Sequence, residues 1–289
     1  MKENITIKKG TEKYVRKYIP NFVFYIPFVY YGLVRMGTGS KFLGFVIYYI
    51  LPTYYYFLYL SQWTIESFYL YPVLLLSMFN LYEIGYIHND TETIKHEDNP
   101  SLRLYGYNIN YYEFHKYSIY GIRLGLALLF SMLIIRFSGN QSGALFFVSL
   151  CFTELLIFLL YNSLRGAISL YVFALLQIIK YESYIFFFYP DINYMVFTLI
   201  ILVYPIPNFI ERLSFKRYNL SFFMNLFPDK SCFSAFRFYY YFCLVMLLVV
   251  LQTMNFMSFS AYAIFVFMAL YRGLLLIITN KYKFKNYLQ

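Results

Sequence analysis

Hydrophobic runs of about 17 to 25 residues, the length a helix needs to cross a bilayer, recur along the chain at 41–60, 67–88, 118–136, 143–162, 167–188, 193–210, 236–254 and 257–278. A ninth, weaker run covers 19–36. Backbone groups in hydrocarbon must bond within their own segment, so these runs predict helices. The connections are short and polar except at two places, 89–117 and 211–235, which are separated by four runs.

Lys and Arg placement chooses between eight and nine spans. Lys2, Lys8, Lys9, Lys13, Arg16 and Lys17 precede the first run; Arg212, Lys216, Arg217, Lys230 and Arg237 follow residue 210; Lys281, Lys283 and Lys285 lie near the end. The loops SQWTIE, SGNQSG, YPD and TMNF contain neither Lys nor Arg. Positive loops stay cytoplasmic, so both termini and both long polar segments are expected on that face. Eight full spans satisfy this, with 19–36 lying in the interface or dipping into the bilayer as part of a helical hairpin. The expected fold is therefore all-α: a polytopic bundle of eight to nine transmembrane helices. Residues 1–18 form a basic cytoplasmic tail and 19–289 a single transmembrane domain.

Composition agrees with the pattern. The 289 residues are 61% hydrophobic and 13% charged, with mean hydropathy +0.54 and net charge +10; a soluble domain carries about 25% charged residues. An integral, multi-pass protein of a bacterial cytoplasmic membrane is expected, with the bilayer as a partner and no nucleic acid. The N-terminal tail has no apolar core followed by a small-residue cleavage site, so it is not read as a removable signal peptide. Cys151, Cys232 and Cys243 form no metal-binding or redox spacing, and His88, His96 and His115 repeat no ligand spacing.

The polar island Glu83 to Arg103 (EIGYIHNDTETIKHEDNPSLR) holds five of the 14 acidic residues. If the helix of 67–88 runs on past its apolar end, Glu83, Asp90 and Glu97 are spaced by seven and share a face. Such a row suits Mg2+, which keeps several waters and takes further oxygens from a phosphorylated substrate. Asn89 offers a neutral oxygen; Lys95 and Arg103 offer cations for phosphate. The helix is expected to end before Pro100. A solvated loop of mixed charge is the alternative for most of the island. It is a weaker one for Glu83, because carboxyls inside the membrane edge are costly and tend to mark function. PNFIERLSFKRYNL (207–220) supplies a complementary basic cluster, Arg212, Lys216, Arg217 and Tyr218, with an anchor to anionic lipid heads as its alternative. Arg165 in YNSLRG is either a third basic element or a snorkelling interface arginine.

The string Asn89-Asp90-x-x-Thr93-x-x-x-Glu97, followed by Asn99-Pro100 and Arg103, resembles the first aspartate-rich motif of the UbiA superfamily of intramembrane prenyltransferases. Thr93 stands where the middle Asp is usual. YNSLR is similar to a later stretch of the family, with Arg165 in its basic position. Lys216-Arg217-Tyr218, with Arg237 at the next span, is closer to the branch that transfers phosphoribose to a polyprenyl phosphate, although Asn219-Leu220 follows where that branch has an acidic residue. The resemblance spans roughly 41–278.

It implies a helical bundle with a central cavity open to the cytoplasm and to lipid, and a transferase acting on a polyprenyl phosphate or diphosphate, with Mg2+ aiding departure of diphosphate. Asp90, Glu97 and Asn89 would hold the metal, with Asp90, Glu97 and Glu83 as catalytic carboxylates. Lys95, Arg103, Arg165, Lys216, Arg217 and Tyr218 would bind phosphate. The implied partners are an isoprenoid phosphate lipid and a small phosphorylated or polar co-substrate. Phosphoribosyl-like transfer is favoured over prenyl transfer to a small polar or aromatic acceptor; a carrier of a lipid-linked anion is the alternative from another class.

Overall fold

The computed structural model describes residues 19–97, 100–164, 166–215, 218–227 and 231–287. It is all-helical over those residues, and eight stretches are long and apolar enough to cross a membrane: Gly39–Leu60, Ile65–His96, Gly106–Phe137, Gln141–Ser163, Ile168–Phe186, Tyr194–Leu213, Cys232–Thr253 and Phe259–Ile278. These agree with the eight spans read from hydrophobic run length.

The first stretch is α1 (Gly39–Phe45), a π-helical turn (Val46–Ile50) and α2 (Leu51–Leu60) in sequence. Next come α3 (Ile65–Thr91), α4 (Gly106–Phe137), α5 (Gln141–Ser163) and α6 (Ile168–Phe186). The sixth stretch divides into α7 (Tyr194–Val203) and α8 (Pro205–Leu213). The break falls at Tyr204, which precedes a proline and leaves helical angles as such residues tend to do. A short α9 (Ser221–Leu226) leads to α10 (Ser231–Thr253) and α11 (Phe259–Tyr287).

Segment 19–36 is no spanning helix. It forms a 3-10 turn at Asn21–Phe24 and a π-helical turn at Tyr31–Met36, with Phe28 at φ +74° between them. Pro27 interrupts the run, and the segment folds back against α3 and α4 as described below.

Helix α3 packs on both α4 and α5, α5 on α6, and α10 mainly on α11. Small residues set two of these approaches. Gly85 on α3 faces the Phe158 ring of α5 so closely that a Cβ would sit 2.3 Å from it, and Asn162 donates to the Gly85 carbonyl at 2.9 Å. At the start of α5, a Cβ on Gly143 would lie 1.7 Å from the Phe187 carbonyl oxygen. The N-cap Asn140 accepts from Gly143 N–H and donates to the carbonyls of Phe187 and Tyr189, tying α5 to the end of α6. Some buried hydroxyls tie elements together, as hydrocarbon surroundings favour: Tyr49 pairs with Tyr184 at 2.8 Å, and Tyr56 donates to the Ala261 carbonyl at 3.0 Å.

Gly143→Val tests this close approach. Because the obstacle is backbone, overpacking should cost about 1–3 kcal/mol and lower the unfolding midpoint in detergent. Gly121→Ala on α4, where nothing lies within 4 Å, should leave it unchanged or raised. Equal midpoints for the two variants would contradict the packing described.

Candidate functional site

The polar island begins on the last turns of α3. The helix does continue past its apolar run, to Thr91, but a 3-10 turn at Thr93–His96 follows and Glu97 is extended. Glu97 therefore does not extend the face shared by Glu83 and Asp90. The expected row of three carboxylates reduces to two on α3, and each of the two meets an arginine.

Glu83 is fully buried. Its carboxylate accepts the backbone N–H groups of Phe28 at 2.9 Å and Tyr31 at 2.6 Å, and Arg123 of α4 at 2.6 Å. Arg123, also 0% exposed, donates in addition to the carbonyls of Phe24, Val23 and Ile26. One ion pair thus holds residues 23–31, the middle of the bent segment, including the amide of left-handed Phe28. Glu83 is placed as a structural carboxylate and does not line either cavity described below.

Asp90 lies two turns further along α3, and its side chain is fully buried. Its Oδ1 accepts Arg35 at 2.8 Å and Arg103 at 3.0 Å, with Asn89 at 3.3 Å, while Oδ2 accepts the Tyr30 hydroxyl at 3.0 Å. Burial, then the Asp90 charge, push the Tyr30 phenol above its ordinary range, so it remains a donor. Arg35 also stacks on Tyr86, 4.1 Å from the ring centroid, and its buried Nε has no partner.

Two chambers adjoin this pair of arginines. The outer one, about 390 Å³, has Asn89, Glu97, Ser101, Arg103, Tyr161 and Arg212 in its wall. The inner one, about 450 Å³, has Lys41, Tyr49, Gln177, Lys180, Tyr181 and Asn208. Arg35, Tyr82, Tyr86, Phe173 and Arg212 line both, so the two share a wall. Each volume lies in the range of small-molecule sites. Among the described residues, the combined lining carries Arg35, Lys41, Arg103, Lys180 and Arg212 against one carboxylate, Glu97. Arg212 is held flat, its guanidinium 3.7 Å from the Phe173 centroid, and bonds the Tyr161 hydroxyl.

The site gathers Asn89, Glu97 and Arg103 as the sequence suggests, with Asp90 bonded directly to Arg103. Tyr218 stands behind Arg212, 3.5 Å from its Nε. Lys95 lies elsewhere: it pairs with Glu92 at 2.8 Å and Glu113 at 2.6 Å, outside both chambers. Arg165, Lys216 and Arg217 lie outside the described residues. In the second polar segment Glu211 is taken by Arg237 of α10, at 2.7 Å for Nη2, leaving Arg212 to face the cavity. Arg35, Arg123 and Lys180 escape a search for motifs. The signal that could find Arg123 and Lys180 is an ionisable residue inside a hydrophobic run, which costs too much to be incidental. Glu154 and Glu182 give the same signal, and both are buried with neither oxygen partnered.

The residues expected to hold Mg2+ do not fit a metal ion in this geometry. Asp90 is enclosed by two guanidiniums and a phenol, and among the described residues no three acidic, His or Cys side chains converge. The arrangement can instead hold an oxyanion: guanidiniums oriented by a buried carboxylate and by rings, with donors available to the chamber. Searches against family models, curated proteins and solved structures find no match for the chain.

Removing one partner of the Arg123–Glu83 pair should be far worse than neutralising the other gently. Arg123→Met strands a buried carboxylate and is expected to cost about 3–5 kcal/mol, seen as loss of monodisperse protein in detergent. Glu83→Gln should unfold at a midpoint between that variant and the parent. An Arg123→Met protein as stable as the parent would refute the structural role.

Proposed function

We propose that the chain is an intramembrane transferase acting on a polyprenyl phosphate or diphosphate, which binds in the adjoining chambers with its phosphate at Arg35, Arg103 and Arg212. The observation that carries this reading is the lining itself: five cations, one carboxylate and a wall of Tyr and Phe at the end of α3. Cations of this kind recognise phosphate oxygens, and aromatic faces suit an unsaturated tail. The cavity would open to the cytoplasm and to lipid, admitting head and tail from different sides.

In transfer, the bond between an anomeric or allylic carbon and a diphosphate oxygen breaks, and negative charge collects on the departing oxygens. Preorganised donors aimed at that charge lower the barrier. Arg103 and Arg212 are the residues assigned to this. Asp90 orients Arg35 and Arg103 without touching substrate. The phosphoribosyl preference rests on Lys216-Arg217-Tyr218 and Arg237; Lys216 and Arg217 lie outside the described residues and Arg237 is held by Glu211, so phosphoribosyl and prenyl transfer stand level.

A second reading, carriage of a lipid-linked anion, is favoured by one specific feature: the cationic lining continues inward to Lys180, well beyond the outer arginines.

Turnover separates the two. Purified protein with polyprenyl phosphate and phosphoribosyl diphosphate, or with a prenyl diphosphate and candidate acceptors, should release diphosphate. Arg103→Gln and Arg212→Gln should each cut the rate and weaken farnesyl diphosphate binding by about 10- to 100-fold, the worth of one charge-assisted hydrogen bond. Farnesol binding should be unchanged, and a chelator should leave farnesyl diphosphate binding intact. Tight binding without any turnover would select the carrier; equal binding of farnesol and farnesyl diphosphate would exclude both.

A further inference from the structure

Lys180 sits twelve residues into α6, about 18 Å along the helix from Ile168 at 1.5 Å per residue. It is flanked by Ile178, Ile179 and Tyr181 and is only 5% exposed. Its ammonium is caged by rings from three directions: Tyr82 at 4.0 Å, Tyr49 at 4.7 Å, Phe79 at 5.0 Å and Tyr31 at 5.6 Å from their centroids. No carboxylate among the described residues comes within ion-pairing distance of it. Glu154 of α5 acts on Lys180 electrostatically through space, but it forms no ion pair with it, and both its oxygens are buried without a hydrogen-bond partner among the described residues.

Desolvating an ammonium is costly, and the rings around it attract the charge without offering a hydrogen-bond acceptor. The missing stabilisation is an acceptor, and the open side of Lys180 is the inner chamber, which it lines together with Gln177 and Asn208. The depth is informative too. Tyr82, the ring nearest the ammonium, precedes Asp90 by eight residues on α3, about 12 Å further into the membrane.

We propose that the inner chamber is a second anion site, in which Lys180, assisted by the Gln177 and Asn208 amides, receives an oxyanion that has passed Arg35 and Arg212. The ligand class is a phosphate or other oxyanion. The site lies about two helical turns below the Asp90 cluster, so an anionic group reaches the interior of the bundle and does not stop at its mouth. This inference rests on the anionic-ligand reading of the cavity, but it needs no catalysis.

Charged thiol reagents test it directly. In protein carrying Cys232→Ser and Cys243→Ser, with buried Cys151 kept, Gln177→Cys places a thiol on the chamber wall next to Lys180. Its modification by a sulfonate-bearing methanethiosulfonate should outpace that by a trimethylammonium-bearing one. Lys180→Met and Lys180→Gln should each lower this rate ratio about tenfold, and Lys180→Arg should preserve it. No labelling by either reagent, or a ratio untouched by both neutral variants, would overturn the proposal. Should neither neutral variant fold, slowing of the labelling by pyrophosphate in the protein that keeps Lys180 decides: slowing supports the site and its absence overturns it. Lost turnover with an intact Lys180-dependent ratio would sink the transferase reading and leave this one standing.

Discussion

A carboxylate charge buried in a membrane helix is costly without counter-charge, and the way Glu83 and Asp90, two turns apart on α3, are partnered organises the cavity end of the molecule. Glu83 recruits Arg123 and two backbone amides of segment 19–36; Asp90 recruits Arg35 from the same segment, Arg103 from the polar island and the Tyr30 hydroxyl. Breaking either pair leaves a bare charge in a low-dielectric interior, a far larger loss than any exposed ion pair represents. The bent N-terminal segment is thereby fixed on α3 and α4, and Arg35 is delivered to the boundary between the two chambers. Fold and site are coupled through the same side chains.

That coupling explains which parts were readable from the chain. Run length and Lys/Arg placement identify eight spans and separate 19–36 from them, because both depend only on local composition. The polar island is equally visible, since acid is scarce elsewhere. Asn89, Glu97 and Arg103 do line one chamber, and Arg212 of the second polar segment meets them there.

What the chain does not disclose is who partners whom. Seven-residue spacing puts Glu83, Asp90 and Glu97 on one face only while the helix lasts, and the 3-10 turn after Thr91 removes Glu97 from that face. A carboxylate beside a phosphate motif reads as a metal ligand until its neighbours are known. Arg35 comes from more than fifty residues upstream, and its approach to Asp90 depends on the left-handed turn at Phe28. Lys95 looks like a phosphate ligand by position, yet Glu92 and Glu113 hold it elsewhere. Lys180 carries no motif at all; its meaning lies in the rings around it and the absence of an acceptor among the described residues.

In the proposed function guanidiniums, and not a carboxylate-bound metal, meet the ligand's charge beside Asp90. An experimental structure with farnesyl diphosphate and Mn2+ tests this most directly, since manganese is located by its anomalous signal. Phosphate density is expected against Arg35, Arg103 and Arg212, with Asp90 still bonded to Arg35 and Arg103. A manganese peak bridging Asp90 and Glu97, at the roughly 2.1 Å ligand distance of small divalent ions, would contradict it.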